Sequence, residues 1–142
     1  MTQFEYDVED ALLFMKSHNR FDSWGDEARR ELIRFYFAHG MGAIIRQADH
    51  KIIAAGFAHT CNYRKTDQYA DYWRTSTEGN SIYIVDIVAD HPRAIPILWS
   101  MMTNKFGEKK FVIGKNRGKV VKWPYRTYTK KMEFLDKHYN LN

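Results

Sequence analysis

The chain has 142 residues, of which 44% are hydrophobic, 27% charged and 15% aromatic, the size and make-up of one folded domain spanning residues 1–142. A single cysteine, Cys61, excludes an internal disulfide and a CxxC metal site, and no apolar run approaches the ~18 residues needed to span a bilayer. The net charge of +5 is uneven: ten Lys or Arg between Lys105 and Lys131 face the one acid Glu108, whereas the first 36 residues hold Glu5, Asp7, Glu9, Asp10, Asp22, Asp26, Glu27 and Glu31.

In chain order, Val8, Ala11, Leu12 and Met15 at helical spacing predict a first helix over Val8–Lys16. The polar break SHNRFDSWGD follows. Asp26 then reads as an N-cap for a second helix over Glu27–His39, with Ala28, Leu32, Phe35 and Tyr36 on one face and Gly40 as its stop. Two β-rich runs, 42–47 and 51–60, flank the polar turn around Asp49 and predict a hairpin. Residues 61–80 are polar and aromatic, without a clear period. They are expected to hold a short helix around Asp67–Trp73, and Tyr63, Tyr69, Tyr72 and Trp73 form an aromatic cluster that suits loop packing or an acyl pocket.

Ser81–Val88 is the clearest strand, β-branched and aromatic, bounded by Gly79-Asn80 and Asp90-His91-Pro92. Its apolar run is interrupted by Asp86. Strict alternation places Tyr83, Val85 and Ile87 on one face and Ile82, Ile84, Asp86 and Val88 on the other. A carboxylate on an apolar face must be paired, hydrogen-bonded or open to a cleft. Asp86 is therefore either a site residue or half of an ion pair with Arg46, Arg64 or Arg117.

Ile95–Phe106 predicts a helix with Pro96 in its first turn and Gly107 at its end. Lys110–Lys115 predicts a strand, Gly118–Tyr128 an extended basic and aromatic segment broken by Pro124, and Met132–Tyr139 a closing helix. The expected class is α/β (α+β), one mixed, mostly antiparallel central sheet flanked by helices. His59 with Cys61, and Asp90 with His91, are potential metal ligands, but their spacing requires no metal site.

The hairpin, strong strand, helix, strand order resembles the GNAT-like acyltransferase fold. Four segments in order, SHNRFDSW, IIAAGFAHT, GNSIYIVD and RGKVVKW, are similar to those of the toxin-activating lysine acyltransferases, which fatty-acylate RTX toxins. Small phage-encoded GNAT-like proteins share the skeleton. The resemblance implies acyl transfer to an amine, a protein lysine, with a histidine of the early polar segment and the strand aspartate as functional pair. These are His18 and Asp86. The family segment sets its histidine three residues after serine, a position held here by Arg20, and His18 follows Ser17 directly. His18 therefore reads either as base or acyl acceptor, or as an exposed loop histidine.

Acetyl-CoA users of the superfamily place a glycine-rich segment after the corresponding strand, where backbone N–H groups cradle pyrophosphate. Here the segment is ADHPRAIPI, without glycine and with two prolines. The resemblance thus implies no tightly bound cofactor and an acyl donor, acyl-ACP rather than acyl-CoA, as co-substrate. Arg117, Lys119, Lys122 and Arg126 would draw in an acidic carrier or protein substrate. The alternative is a non-catalytic phage, virion or host-interaction protein whose tail, KNRGKVVKWPYRTYTKK, binds nucleic acid or a partner by stacking and phosphate contacts. The N-terminus has no basic region leading into an apolar stretch, so no signal peptide is expected. The expected location is cytoplasmic, or virion-associated for a phage protein.

Overall fold

A computed structural model describes residues 1–62, 79–116 and 119–140. The elements are helices α1 (Gln3–Ser17) and α2 (Asp26–Ala38), strands β1 (Gly42–Arg46), β2 (Ile52–Cys61) and β3 (Ser81–Ala89), helix α3 (Ala94–Phe106), strands β4 (Phe111–Asn116) and β5 (Lys119–Pro124), and helix α4 (Tyr125–Asn140). The sheet order is β1-β2-β3-β4-β5. Every neighbouring pair is antiparallel except β3 and β4, which are joined through α3 and run parallel. The α+β class and the mixed, mostly antiparallel sheet expected from the sequence are present. The short helix around 67–73, its aromatic cluster, and Arg64 and Arg117 lie outside the described residues.

Helices cover both faces. On one, Val8, Leu12 and Met15 of α1 and Leu32, Ile33 and Tyr36 of α2 are buried with Phe57 of β2. On the other, Leu98 and Met102 of α3 lie over Gly56, where a Cβ would stand 3.3 Å from the Met102 sulfur. The missing side chain lets α3 close on the strand. Tyr128 of α4 joins this layer edge-on to Trp99, with ring centroids 4.6 Å apart. Among the described residues no helix is long and apolar enough to cross a membrane.

Three local expectations are corrected. The N-cap of α2 is Gly25, and Asp26 is the first helical residue. The Asp26 carboxylate meets Lys16 Nζ at 3.0 Å and Arg29 at 3.2 Å, and the hydrogen bond to Lys16 leads in holding its pKa below the usual value. Tyr125–Tyr128, expected to be extended, is helical, and α4 begins there. The rings there mimic a strand, yet Tyr128, Met132 and Leu135 recur at helical spacing and meet the core.

The third correction concerns Asp86. Phe57 faces Asp86 and Ala58 faces Ile84, which leaves Val85 as the extra residue of a β-bulge. One inserted residue inverts the alternation beyond it. Asp86 and Val88 therefore share the α1/α2 face with Phe57, His59 and Tyr83, opposite to Ile82 and Ile84.

Candidate functional site

The parallel ladder of β3 and β4 runs from Ser81↔Phe111 to Tyr83↔Ile113 and stops there. Both strands continue beyond that point, and a cleft of about 540 Å³ opens between them. Its walls are Asn19, Arg20 and Phe21 of the α1–α2 loop, Ile84 to Ile87 of β3, Gly114 and Lys115 of β4, Trp123 of β5, and Tyr128 of α4. Mixed apolar and polar walls of this size suit a small ligand or an extended chain.

The Val85 bulge turns Asp86 toward the loop that carries Arg20. Arg20 Nε stands 3.7 Å from Asp86 Oδ2, with the Asp86 side chain 15% exposed and that of Arg20 45% exposed. Burial pushes the Asp86 carboxyl above its usual pKa, opposed in part by the Arg20 charge and the backbone of Ile87. Of the partners expected for Asp86, Arg46 is instead bound to Asp7 and Asp10 at 2.7 and 3.0 Å. Arg20 was missed because it sits in a polar loop. The signal that could have found it was its place three residues after Ser17, where the resembling family sets its histidine.

Asn19 (φ 58°) is the left-handed C′ residue of the α1 cap, its N–H donating to Lys16 O at 3.0 Å as in a Schellman turn. Phe21 (φ 55°), on the other side of Arg20, is left-handed beyond that cap. Such a conformation costs about 1–2 kcal/mol for a residue with a Cβ, least for asparagine. It is held by a bond from the Arg20 N–H to the Met15 carbonyl at 2.9 Å and one from Arg29 Nε to the Arg20 carbonyl at 3.1 Å. The Phe21 ring leans on Trp24, with centroids 5.1 Å apart.

His18 is not brought to Asp86. It caps the C-terminal end of α1, and its Nε2 meets Asp90 Oδ1 at 2.8 Å, with side chains 31% and 44% exposed. Its ring packs on Phe14 at 4.7 Å. A histidine–carboxylate dyad therefore exists, built on Asp90, four residues beyond Asp86 and outside the walls of the cleft. The neighbouring Tyr128 hydroxyl, buried in the wall, is pushed up to about 12 and stays neutral.

His59 is a core histidine: fully buried, it shares a 2.8 Å hydrogen bond between Nδ1 and Tyr36 Oη and stacks on Tyr83 at 5.2 Å. Cys61 is buried at the end of the same strand. Among the described residues no group of three or more His, Cys, Asp or Glu could hold a metal ion.

The start of α3 bears on phosphate binding. Ala94 N–H donates to His91 O at 3.0 Å and Ile95 N–H to Pro92 O at 3.1 Å, Pro96 has no N–H, and Arg93 gives no side-chain cap. The donors that would face an anion at a helix start are thus already used.

Of the expected basic residues, Lys119, Lys122 and Arg126 are exposed. Lys122 Nζ lies over the Phe111 ring at 4.4 Å, where Lys110 also approaches at 5.4 Å. Lys119 and Arg126 form no ion pair among the described residues. Compared with protein-family models, curated proteins and solved structures, the chain matches none of them.

Proposed function

We propose that the cleft between β3 and β4 transfers an acyl group from a thioester to an amine, a protein lysine, with Asp86 as the base. The observation that carries this reading is the Asp86 carboxyl, recessed in an aromatic-walled cleft and raised above its usual pKa by burial. A raised carboxylate accepts a proton more readily than an exposed one. The amine nitrogen attacks the thioester carbonyl carbon, and its proton passes to Asp86. The carbon–sulfur bond then breaks, and the departing thiolate takes the proton back. His18 is held on Asp90 and takes no part in this step.

The engaged N–H groups at the start of α3 favour a donor that needs no pyrophosphate cradle there, which points to acyl carrier protein before acyl-CoA. Exposed Lys119, Lys122 and Arg126 supply charge for docking an acidic carrier, and Arg117 belongs to the same basic stretch of sequence. Incubation with acyl carrier protein charged with labelled fatty acid tests the reading. Label should reach an amine in the presence of wild type and fail to do so with Asp86→Asn. No transfer to any acceptor, and no difference between the two proteins, would end it.

A second reading is favoured by the same exposed cations. Lys110 and Lys122 on Phe111 combine a ring with two positive charges, and Lys119 and Arg126 have no acidic partner among the described residues. A non-catalytic protein binding single-stranded nucleic acid would use such a surface. Salt-dependent DNA binding lost on neutralising Lys119, Lys122 and Arg126 supports it; binding unchanged by those substitutions removes it.

A further inference from the structure

We infer that Arg20 is the second reacting-centre residue of the cleft: its guanidinium receives the acyl carbonyl oxygen while Asp86 takes the N–H of the attacking amine. This rests on the acyl-transfer reading and adds to it a residue, a role and a substrate geometry.

The first support is how Arg20 is presented. Its backbone N–H closes the Schellman cap of α1 on Met15 O and its C=O accepts from Arg29 Nε, and Phe21 beside it holds a left-handed φ that the cap does not require. Strained backbone kept in place by surrounding bonds is concentrated at functional sites. The side chain so presented lines the cleft.

The second support is what Arg20 leaves undone. A pair that serves stability closes to a charge-assisted hydrogen bond of about 2.7–2.9 Å. Arg20 Nε remains 3.7 Å from Asp86 Oδ2, beyond hydrogen-bond range, and its side chain has no other partner among the described residues. Its donors are open to a ligand, and the Asp86 carboxylate, which takes a hydrogen bond from the Ile87 backbone, keeps lone pairs for another.

The spacing selects the ligand. Nitrogen and oxygen on one amide carbon lie about 2.3 Å apart, from standard bond lengths and angles. Two hydrogen bonds of about 2.8 Å, one to each atom, close a trapezoid whose long side is the observed gap between Arg20 and Asp86. The pair therefore brackets a donor and an acceptor attached to the same carbon. That is the arrangement of an amine adding to an acyl carbonyl; the trans amide that results turns its N–H away from its C=O and no longer fits the pair, which favours release. When the nitrogen–carbon bond forms, the carbonyl π electrons move to oxygen and are held by Arg20. When the oxyanion collapses, the carbon–sulfur bond breaks and Arg20 returns to a neutral carbonyl.

The test uses the full chain with the octanoyl thioester of N-acetylcysteamine and Nα-acetyl-lysine, measuring thiol release and amide formation. Arg20→Gln should lower kcat by about 100-fold or more, as loss of an oxyanion donor does, with KM changed only a few-fold. Arg20→Lys, which keeps the charge but not the fork, should recover part of the rate. The acid limb of the pH–rate profile should move to higher pH in Arg20→Gln, because Asp86 loses the cation that lowers its pKa; a merely structural defect leaves that limb in place. Wild-type kcat in Arg20→Gln together with an inactive Asp86→Asn overturns the role of Arg20 and leaves the acyl-transfer reading standing. Thiol release by wild type no faster than in buffer removes both.

Discussion

Arg29 of α2 donates from Nε to the backbone carbonyl of Arg20 at 3.1 Å, so a buried side chain of one helix fixes the loop leaving another. Its remaining nitrogens reach Asp22 and Asp26 at 3.3 and 3.2 Å. Those carboxylates are at least half exposed, so the ion pairs contribute little, and the bond to Arg20 O is the one that matters. Arg29→Met keeps the packing of the stem and removes all three. The expected cost is about 2 kcal/mol, from a charged hydrogen-bond donor lost beneath the loop. Urea denaturation measures it, and hydrogen exchange should rise first at the Arg20 and Trp24 amides.

Asp86→Asn should stabilise the protein at neutral pH. The folded-state pKa of Asp86 is raised by burial, so its contribution to stability is full below the ordinary carboxylate pKa and is lost as pH rises through the folded value. At pH 7 the ionised, buried carboxylate is therefore a liability that an amide of equal size does not carry. Thermal melts from pH 3 to 8 should show Asp86→Asn above wild type at pH 7 and the two converging toward pH 3. A carboxylate serving as a structural ion pair gives the opposite sign at pH 7. Gain of stability with loss of transfer would mark Asp86 as a residue held for chemistry.

Much of this architecture was legible in the chain. The hairpin, the β3 strand, α3 with Pro96 in its first turn and β4 all followed from period and punctuation. The bulge at Val85 was not, because SIYIVDIVA alternates equally well on either side of one inserted residue. Only pairing with Phe57 and Ala58 decides where the extra residue sits. Asp86 was thus found as an anomaly while its face was misassigned. Arg20 stood in view three residues after Ser17, but its approach to Asp86 is set by the cap of α1 and by Arg29, which local propensity does not report. His18 was singled out as the partner of Asp86, yet it pairs with Asp90, placed by the end of β3 and by no motif.

Asn19 provides a test of strain at the cleft. At φ 58° a β-carbon is unfavourable, and asparagine tolerates the region better than most residues. Asn19→Ala should cost about 1 kcal/mol. Asn19→Gly should lie within a few tenths of wild type, since relief of strain is offset by greater freedom of the unfolded chain. Equal melting temperatures for the alanine and glycine variants would show that the turn relaxes at no cost.

Gly114 lies in the cleft, on β4 just past the last β3 pairing. A Cβ there would stand 3.6 Å from Trp123 Cζ3 and 4.0 Å from Ile84 Cβ, which is ordinary contact distance. Gly114→Ala should therefore fold normally, with a gain of about 0.5 kcal/mol from the stiffer unfolded chain. Gly114→Leu adds a branched side chain that must enter the space between Trp123 and Ile84, narrowing the cleft while leaving Asp86 and Arg20 untouched. If the cleft holds the acyl chain, the leucine variant should raise KM for a long-chain thioester at least ten-fold, with a smaller effect on a two-carbon acyl group. An equal loss for short and long chains would place the acyl chain elsewhere. The ratio between chain lengths is the informative quantity, because a general folding defect scales both rates alike.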